Sequence, residues 1–166
     1  MGKKRIIVIA AAIAAMVFCF APFAFAEDKE ITRMTLKGIK EVYVVIEAIE
    51  PEIEQLGLTQ TQVKSDVEAK LRGADIGVVP EFQRGLPAVY LYVQVLRPQK
   101  INLLFYSVSL SLLQNVILER DQNIKTNTDT WLMRMLGTSS GIEAIRSDIR
   151  SLLDQFIEDF RKANQK

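Results

Sequence analysis

Hydrophobic positions along this chain switch between period two and a period near 3.6, and each switch marks a different kind of element. From Ile39 to Ile49 the run Ile-Lys-Glu-Val-Tyr-Val-Val-Ile-Glu-Ala-Ile is rich in β-branched and aromatic residues, which predicts a central strand closed by Glu50-Pro51-Glu52. Thr59 and Gln62 then have the spacing of a capping box, in which a hydroxyl accepts the N3 amide hydrogen and the glutamine side chain returns to the cap. Val63, Val67 and Leu71 repeat at every fourth position behind it. An amphipathic helix is therefore expected from Gln60 to Arg72, with Gly73 as its left-handed C-terminal cap.

A short apolar run, Ile76 to Val79, precedes Pro80, and Gly85 and Pro87 mark a loop. Ala88 to Leu96 alternates, with Val89, Leu91, Val93 and Val95 on one face and Tyr90, Tyr92 and Gln94 on the other, the pattern of a half-buried antiparallel strand. After the turn Arg97-Pro98-Gln99-Lys100, the segment Ile101 to Glu119 sets Tyr106, Val108, Leu110 and Leu112 against Phe105, Ser107, Ser109 and Ser111. This predicts a hairpin partner whose serines face solvent. Arg120 to Asp129 is polar and reads as an exposed loop, and Thr130-Trp131-Leu132-Met133 fits either a last short strand or a helical turn through Met135. Gly137-Thr138-Ser139-Ser140-Gly141 breaks the pattern. Ile142, Ile145, Ile149, Leu152, Phe156 and Phe160 then form one apolar stripe on a C-terminal helix of about 20 residues. The order β-α-β-β-β-α predicts an α+β two-layer sandwich, a mainly antiparallel sheet with two helices packed on one face. A parallel doubly wound sheet is the alternative.

The first 26 residues stand outside this pattern. Lys3, Lys4 and Arg5 precede an apolar run from Ile6 to Phe25, which closes on Ala24-Phe25-Ala26 before Glu27. A basic start, an apolar middle and small residues at an A-x-A site describe a removable export signal, with Ala24 and Ala26 at the cleavage site and Glu27 as the first residue of the product. The apolar run is also long enough to span a bilayer as an uncleaved anchor. Against that, Pro22 interrupts it. A lipid anchor on Cys19 is the third option, and against it Phe18 beside Cys19 departs from the small residues of a lipoprotein signal. The expected product is a flexible lead-in over 27–36 and a single domain over 37–166, periplasmic or secreted, with no membrane insertion after cleavage.

Charge and chemistry narrow the function. The chain has 21 Lys+Arg and 20 Asp+Glu, and removal of the leader takes three of the basic residues, leaving 18 against 20 and a charge of about −2. Without clustered Lys and Arg, nucleic acid is not an expected partner. The chain has no histidine, and its single cysteine, Cys19, lies in the leader. Ser-His-Asp and Cys-His catalysis are thereby excluded, and no cofactor is called for. What remains is a carboxylate group, Glu47, Glu50, Glu52 and Glu54, which could hold a hard cation but lacks the aspartate-glycine spacing of a calcium loop. Ser139-Ser140-Gly141 at a helix start could bind an anion, although hydroxyl residues there are expected as caps. Trp131, Tyr43, Tyr90, Tyr92 and Tyr106 could form a docking surface on the uncovered face of the sheet, beside the serines at 107, 109 and 111. A free edge strand could also accept another chain.

The helix Leu58-Thr59-x-x-x-Val63-x-x-x-Val67-x-x-x-Leu71-Arg72, the strand Pro87-x-Val-Tyr-Leu-Tyr-Val and the ending Asp154-x-Phe156-x-x-Asp159-Phe160-x-x-x-Asn164 resemble a loose group of uncharacterised secreted bacterial proteins. The strand-helix-strand-strand order is also similar to small periplasmic α/β modules such as the N-terminal domain of the translocation protein TolB. These resemblances imply export and a small α/β fold. The function expected is that of a non-enzymatic envelope module that binds another envelope protein. The alternatives are a carrier of a small apolar ligand between the sheet and the C-terminal helix, and a carboxylate-based hydrolase.

Overall fold

The computed structural model describes residues 26–165, so the proposed leader, apart from Ala26, lies outside the described residues. The chain divides into two units, Met1–Ile31 and Thr32–Lys166. What is described of the first belongs to helix α1 (Ala26–Met34), a helix where a flexible lead-in is expected over 27–36.

The second unit contains β1 (Glu41–Ile46), α2 (Pro51–Gln55), α3 (Gln60–Arg72), β2 (Gly77–Val79), β3 (Ala88–Leu96), β4 (Leu104–Leu118), β5 (Asp121–Ser139) and α4 (Ile142–Asn164). The strands form one sheet in the order β2-β1-β3-β4-β5. β1 pairs in parallel with both β2 and β3, while β3-β4-β5 is an antiparallel meander. The α+β class is as expected, but the sheet is mixed rather than mainly antiparallel, and four helices are described rather than two. The reason lies in the connections. A helical crossover brings the chain back to the end of the sheet from which it left, so the next strand must run parallel. Because β2 has only three residues, the loop 80–87 then needs merely to cross β1 to reach the start of β3. It crosses at Tyr43, whose ring meets Phe82 edge-on at 6.0 Å, and Pro87 accepts a hydrogen bond from the Tyr43 amide.

Helix α3 begins and ends where the spacing predicts. Thr59 accepts the Gln62 amide hydrogen at 3.3 Å, and Val63, Val67 and Leu71 are buried. The capping box is only half made, because the Gln62 side chain accepts from Arg146 on α4, at 2.9 Å, rather than returning to the Thr59 amide; separately, Glu54 accepts the Gln60 amide hydrogen at 3.0 Å. Gly73 is likewise not left-handed. Its φ is −63°, and the positive φ falls two residues later, on Asp75 at 62°.

The core lies between the sheet and the helices. Val44, Leu91, Val108, Leu110 and Leu112 from the strands meet Ile145, Leu152, Leu153 and Phe156 from α4, all at 1% exposure or less. Two hydrogen bonds fix α4 on β4 and β5. Trp131 packs edge-on against Phe156, with centroids 5.0 Å apart, and its indole N–H donates to Asp159 at 3.1 Å. Asp159 also accepts from Arg33 at 3.2 Å. Near the other end of α4 the Tyr106 hydroxyl donates to Asp148 at 2.9 Å, and the ring reaches it by lying over Gly137, its cross-strand neighbour. A Cβ at Gly137 would stand 2.5 Å from the Tyr106 ring. Burial and the neighbouring carboxylate both raise the Tyr106 pKa above its ordinary value of 10.0.

β5 extends far beyond its expected length. Arg120 to Asp129, expected as a loop, supplies the β4–β5 turn and then the first half of β5, whose residues 121–129 are all exposed. A bulge at Thr130 joins this half to the buried half: the Thr130 hydroxyl donates to the Leu112 carbonyl at 3.3 Å and accepts from Gln114 at 2.7 Å. Among the described residues, no helix is long and apolar enough to cross a membrane.

Three stability changes are expected. Gly137→Ala should lower unfolding free energy by about 1–3 kcal/mol, because the Tyr106 ring is held at both ends and cannot yield. Asp159→Ala should cost about 1–3 kcal/mol by stranding the buried Trp131 N–H and releasing Arg33. Urea titration measures both. The neutral Tyr106 hydroxyl is favoured in the folded state, so its contribution is complete below pH 10 and is lost as pH rises through the raised folded value. Thermal melts above pH 10 should therefore fall more steeply for the native chain than for Tyr106→Phe.

Candidate functional site

Strand side chains alternate between faces, so every residue that β3, β4 and β5 turn toward α4 has a neighbour turned the other way. The register places those neighbours in rows across the sheet: Tyr90, Ser111 and Leu132; Tyr92, Ser109 and Arg134; Gln94, Ser107 and Leu136; Leu96, Phe105 and Thr138. In the first three rows a serine on β4 stands between a larger residue on β3 and a larger residue on β5. The result is a groove with a hydroxyl floor, an aromatic wall on one side and a leucine wall on the other. Phe105 and Leu96 stand at one end. The core helices α3 and α4 pack on the opposite face, and the apolar side chains here are open, Leu136 at 79%, Leu96 at 65% and Leu132 at 46% exposure.

The serines do not face solvent in the way expected. Ser111 and Ser109 are only 5% and 9% exposed, because short side chains between tall ones are shielded by their neighbours rather than by a covering layer. Their hydroxyls make no hydrogen bond to another described group. A buried or half-buried hydroxyl without a partner is a donor and acceptor left available to whatever enters the groove.

The aromatic residues anticipated for this surface divide. Tyr90 and Tyr92 form the wall, and Tyr43, half-buried, lies on the same face two strands away from β4. Lys64 stands over the Tyr43 ring at 5.4 Å. Trp131 and Tyr106 belong to the core, at 3% and 8% exposure. The residues missed are Leu96, Phe105, Leu132 and Leu136. The alternation of Leu132, Arg134 and Leu136 with Trp131, Met133 and Met135 is the signal that would have found two of them, once the segment is read as strand rather than helix.

The other anticipated groups remain apart from this face. Glu50 and Glu52 flank the start of α2, Glu54 caps α3 through the Gln60 amide, and Glu47 follows β1. Among the described residues no group of His, Cys, Asp or Glu is placed to hold a metal ion. Ser139 accepts the Gly141 amide hydrogen at 3.2 Å, but Gly141 itself is the N-cap of α4, without a side-chain cap. Of the proposed cleavage site, Ala24 lies outside the described residues, and Ala26 and Glu27 begin α1.

The space between the sheet and α4 is filled by fully buried side chains, including Leu110, Leu112, Leu152 and Phe156. A cleft of about 440 Å³ lies instead between α3 and α4, floored by Val63, Ile149 and Leu153. Its rim is already engaged. Lys70 pairs with Asp154 at 2.9 Å, and Arg146 donates to Gly57 and Gln62.

No protein-family model matches this chain, and no curated protein matches it. Solved structures that it resembles include a minor lipoprotein from Acinetobacter baumannii, with a TM-score of 0.33, 9% identity and coverage of 75% of this chain and 92% of that one. A second is the rare lipoprotein B from Shewanella oneidensis, with a TM-score of 0.30, 8% identity and coverage of 74% and 92%. Likeness this slight carries no argument about function, and neither structure lends support to the TolB resemblance.

The geometry separates the carboxylates by role. Glu54→Ala should cost about 0.5–1 kcal/mol by removing the partner of the Gln60 amide. Glu47→Gln, Glu50→Gln and Glu52→Gln should each change unfolding free energy by under about 0.5 kcal/mol. Urea denaturation of the four variants checks the contrast.

Proposed function

We propose that this chain is an exported, non-enzymatic interaction module of the bacterial envelope that binds a partner protein through the open face of its sheet. The observation that carries the reading is the groove itself, in which exposed leucines and tyrosines flank unpaired serine hydroxyls. An apolar surface of this kind is costly to leave in water and characteristically marks a binding site. The mixture of apolar walls and a polar floor suits an extended peptide segment, whose side chains meet the walls while its backbone meets the hydroxyls. Support for export comes from the leader pattern. Support for a binding rather than a catalytic role comes from the lack of histidine anywhere in the chain.

The carrier reading is less well supported, because the proposed ligand space between sheet and α4 is occupied by the protein's own core. In-cell crosslinking of the tagged, full-length chain tests the module directly. Recovery of one envelope protein in stoichiometric amount is expected, and Leu132→Glu with Leu136→Glu should abolish it while leaving the thermal midpoint nearly unchanged, since both side chains are exposed. Retention of the same partner by that double variant would remove the sheet face from consideration.

A further inference from the structure

β3 ends its pairing with β4 at Leu113, which faces Asp129 on β5, and past that point β4 and β5 run on alone as a two-stranded ribbon, 114–118 against 121–128. An isolated two-stranded ribbon is at best marginal in water, because it has neither a third strand nor a layer to pack against. This ribbon also leaves Ile117 and Ile124 exposed, at 57% and 41%. Its outer edge is the edge of the whole sheet, since among the described residues no strand pairs with β5 on the side away from β4. Such an edge is a template for another strand.

We propose that the occupant is a second copy of this chain, whose β5 pairs antiparallel with this one about a two-fold axis at Asn127. The charges select this register. Lys125 and Asp129 lie symmetrically about Asn127, and with an even spacing they share one face of the strand. In the paired arrangement Lys125 stands opposite the partner's Asp129 and Asp129 opposite the partner's Lys125. Thr126 and Thr128 pair in the same reciprocal way. Among the described residues neither Lys125 nor Asp129 forms an ion pair, so both charges are free for this role.

Other registers fail on the same side chains. An axis at Lys125 or at Asp129 sets like charges face to face, and an axis at Thr126 or Thr128 pairs no opposite charges. An axis at Asn123 would require Asp121, whose carboxylate already accepts from the Asn123 amide and side chain at 3.0 and 3.2 Å to close the turn. The free edge ends at Thr130, whose carbonyl accepts from the Thr35 hydroxyl at 3.2 Å. A two-fold pairing of this kind closes on itself and gives a dimer rather than a fibre. It uses the edge of β5 and not the sheet face, so it stands or falls independently of the partner-binding reading above.

Sedimentation equilibrium of the protein isolated from cells expressing the full chain tests the pairing. A monomer–dimer equilibrium is expected. Lys125→Asp alone and Asp129→Lys alone should each weaken it about tenfold, by placing two like-charged pairs across the axis, and the two together should restore it to within about threefold. All the substituted positions are exposed, so far-ultraviolet circular dichroism should be unchanged. A monomer at every loading concentration overturns the proposal, as does a dimer indifferent to the single reversals or not restored by the double one. A dimer that ignores both reversals but dissociates with Leu136→Glu would place the second copy on the sheet face and overturn the edge pairing.

Discussion

The seam between α4 and the inward face of β4 and β5 is the constraint on which the rest of the structure depends. A sheet has two apolar-capable faces, and a chain of this length has helices enough to seal one of them. The apolar stripe of α4 seals the β4–β5 side, with Leu152 and Phe156 completely buried, while α3 seals the β1–β2 side with Val67 and Leu71. Directional bonds hold this arrangement in one register. Asp148 receives Tyr106 toward one end of α4, and Asp159 receives Trp131 toward the other. A slip of one residue along either element would strand the indole N–H in an apolar site, a cost comparable with a large share of a small domain's stability. Gly137 belongs to the same constraint, since only a residue without Cβ lets the Tyr106 ring cross β5 to reach the helix.

Sealing one face determines the character of the other. Because the inward residues of β3, β4 and β5 are fixed by the core, the outward ones are free to vary, and a soluble surface would require them to be charged. Here, apart from Gln94, Arg134 and Thr138, the rows consist of tyrosine, leucine, phenylalanine and serine. The narrow serines let neighbouring strands carry bulky residues without crowding, which converts a flat sheet into a trough. Packing on one side has therefore placed a shaped and unpaired surface on the other.

The sequence was most legible where burial alternates strongly. β3 and α3 begin and end at the residues expected, because each has one fully buried and one wet face and so a clean period. β5 was not legible for the opposite reason. Its first half is exposed on both faces, and a strand with nothing to bury has no hydrophobic period to read. Parallel pairing of β1 with β2 was also hidden, since a three-residue strand carries almost no pattern and its partner is chosen by the crossover rather than by its own residues. The serine floor is hidden for a different reason. Polarity alone does not predict exposure, which on a sheet depends on the height of the cross-strand neighbours. The groove could thus be anticipated as a face of the sheet, with Tyr90 and Tyr92 on it, but its leucine wall required knowing that 130–136 is strand.

β5 consequently carries two different surfaces that must be kept from interfering. Its buried half supplies the leucine wall of the groove, and its exposed half supplies a free edge, with the Thr130 bulge between them. Arg134 stands between Leu132 and Leu136 in that wall and interrupts what would otherwise be a continuous apolar stripe. A charge in this position disfavours indiscriminate self-association of the face, while leaving the leucines on either side accessible. The bulge performs the complementary task on the edge, since it twists the strand and ends the run of backbone groups that another chain could match. A sheet that guards its apolar face with one guanidinium and limits its free edge with one bulge is arranged for bounded contacts, in which partner and register are both restricted.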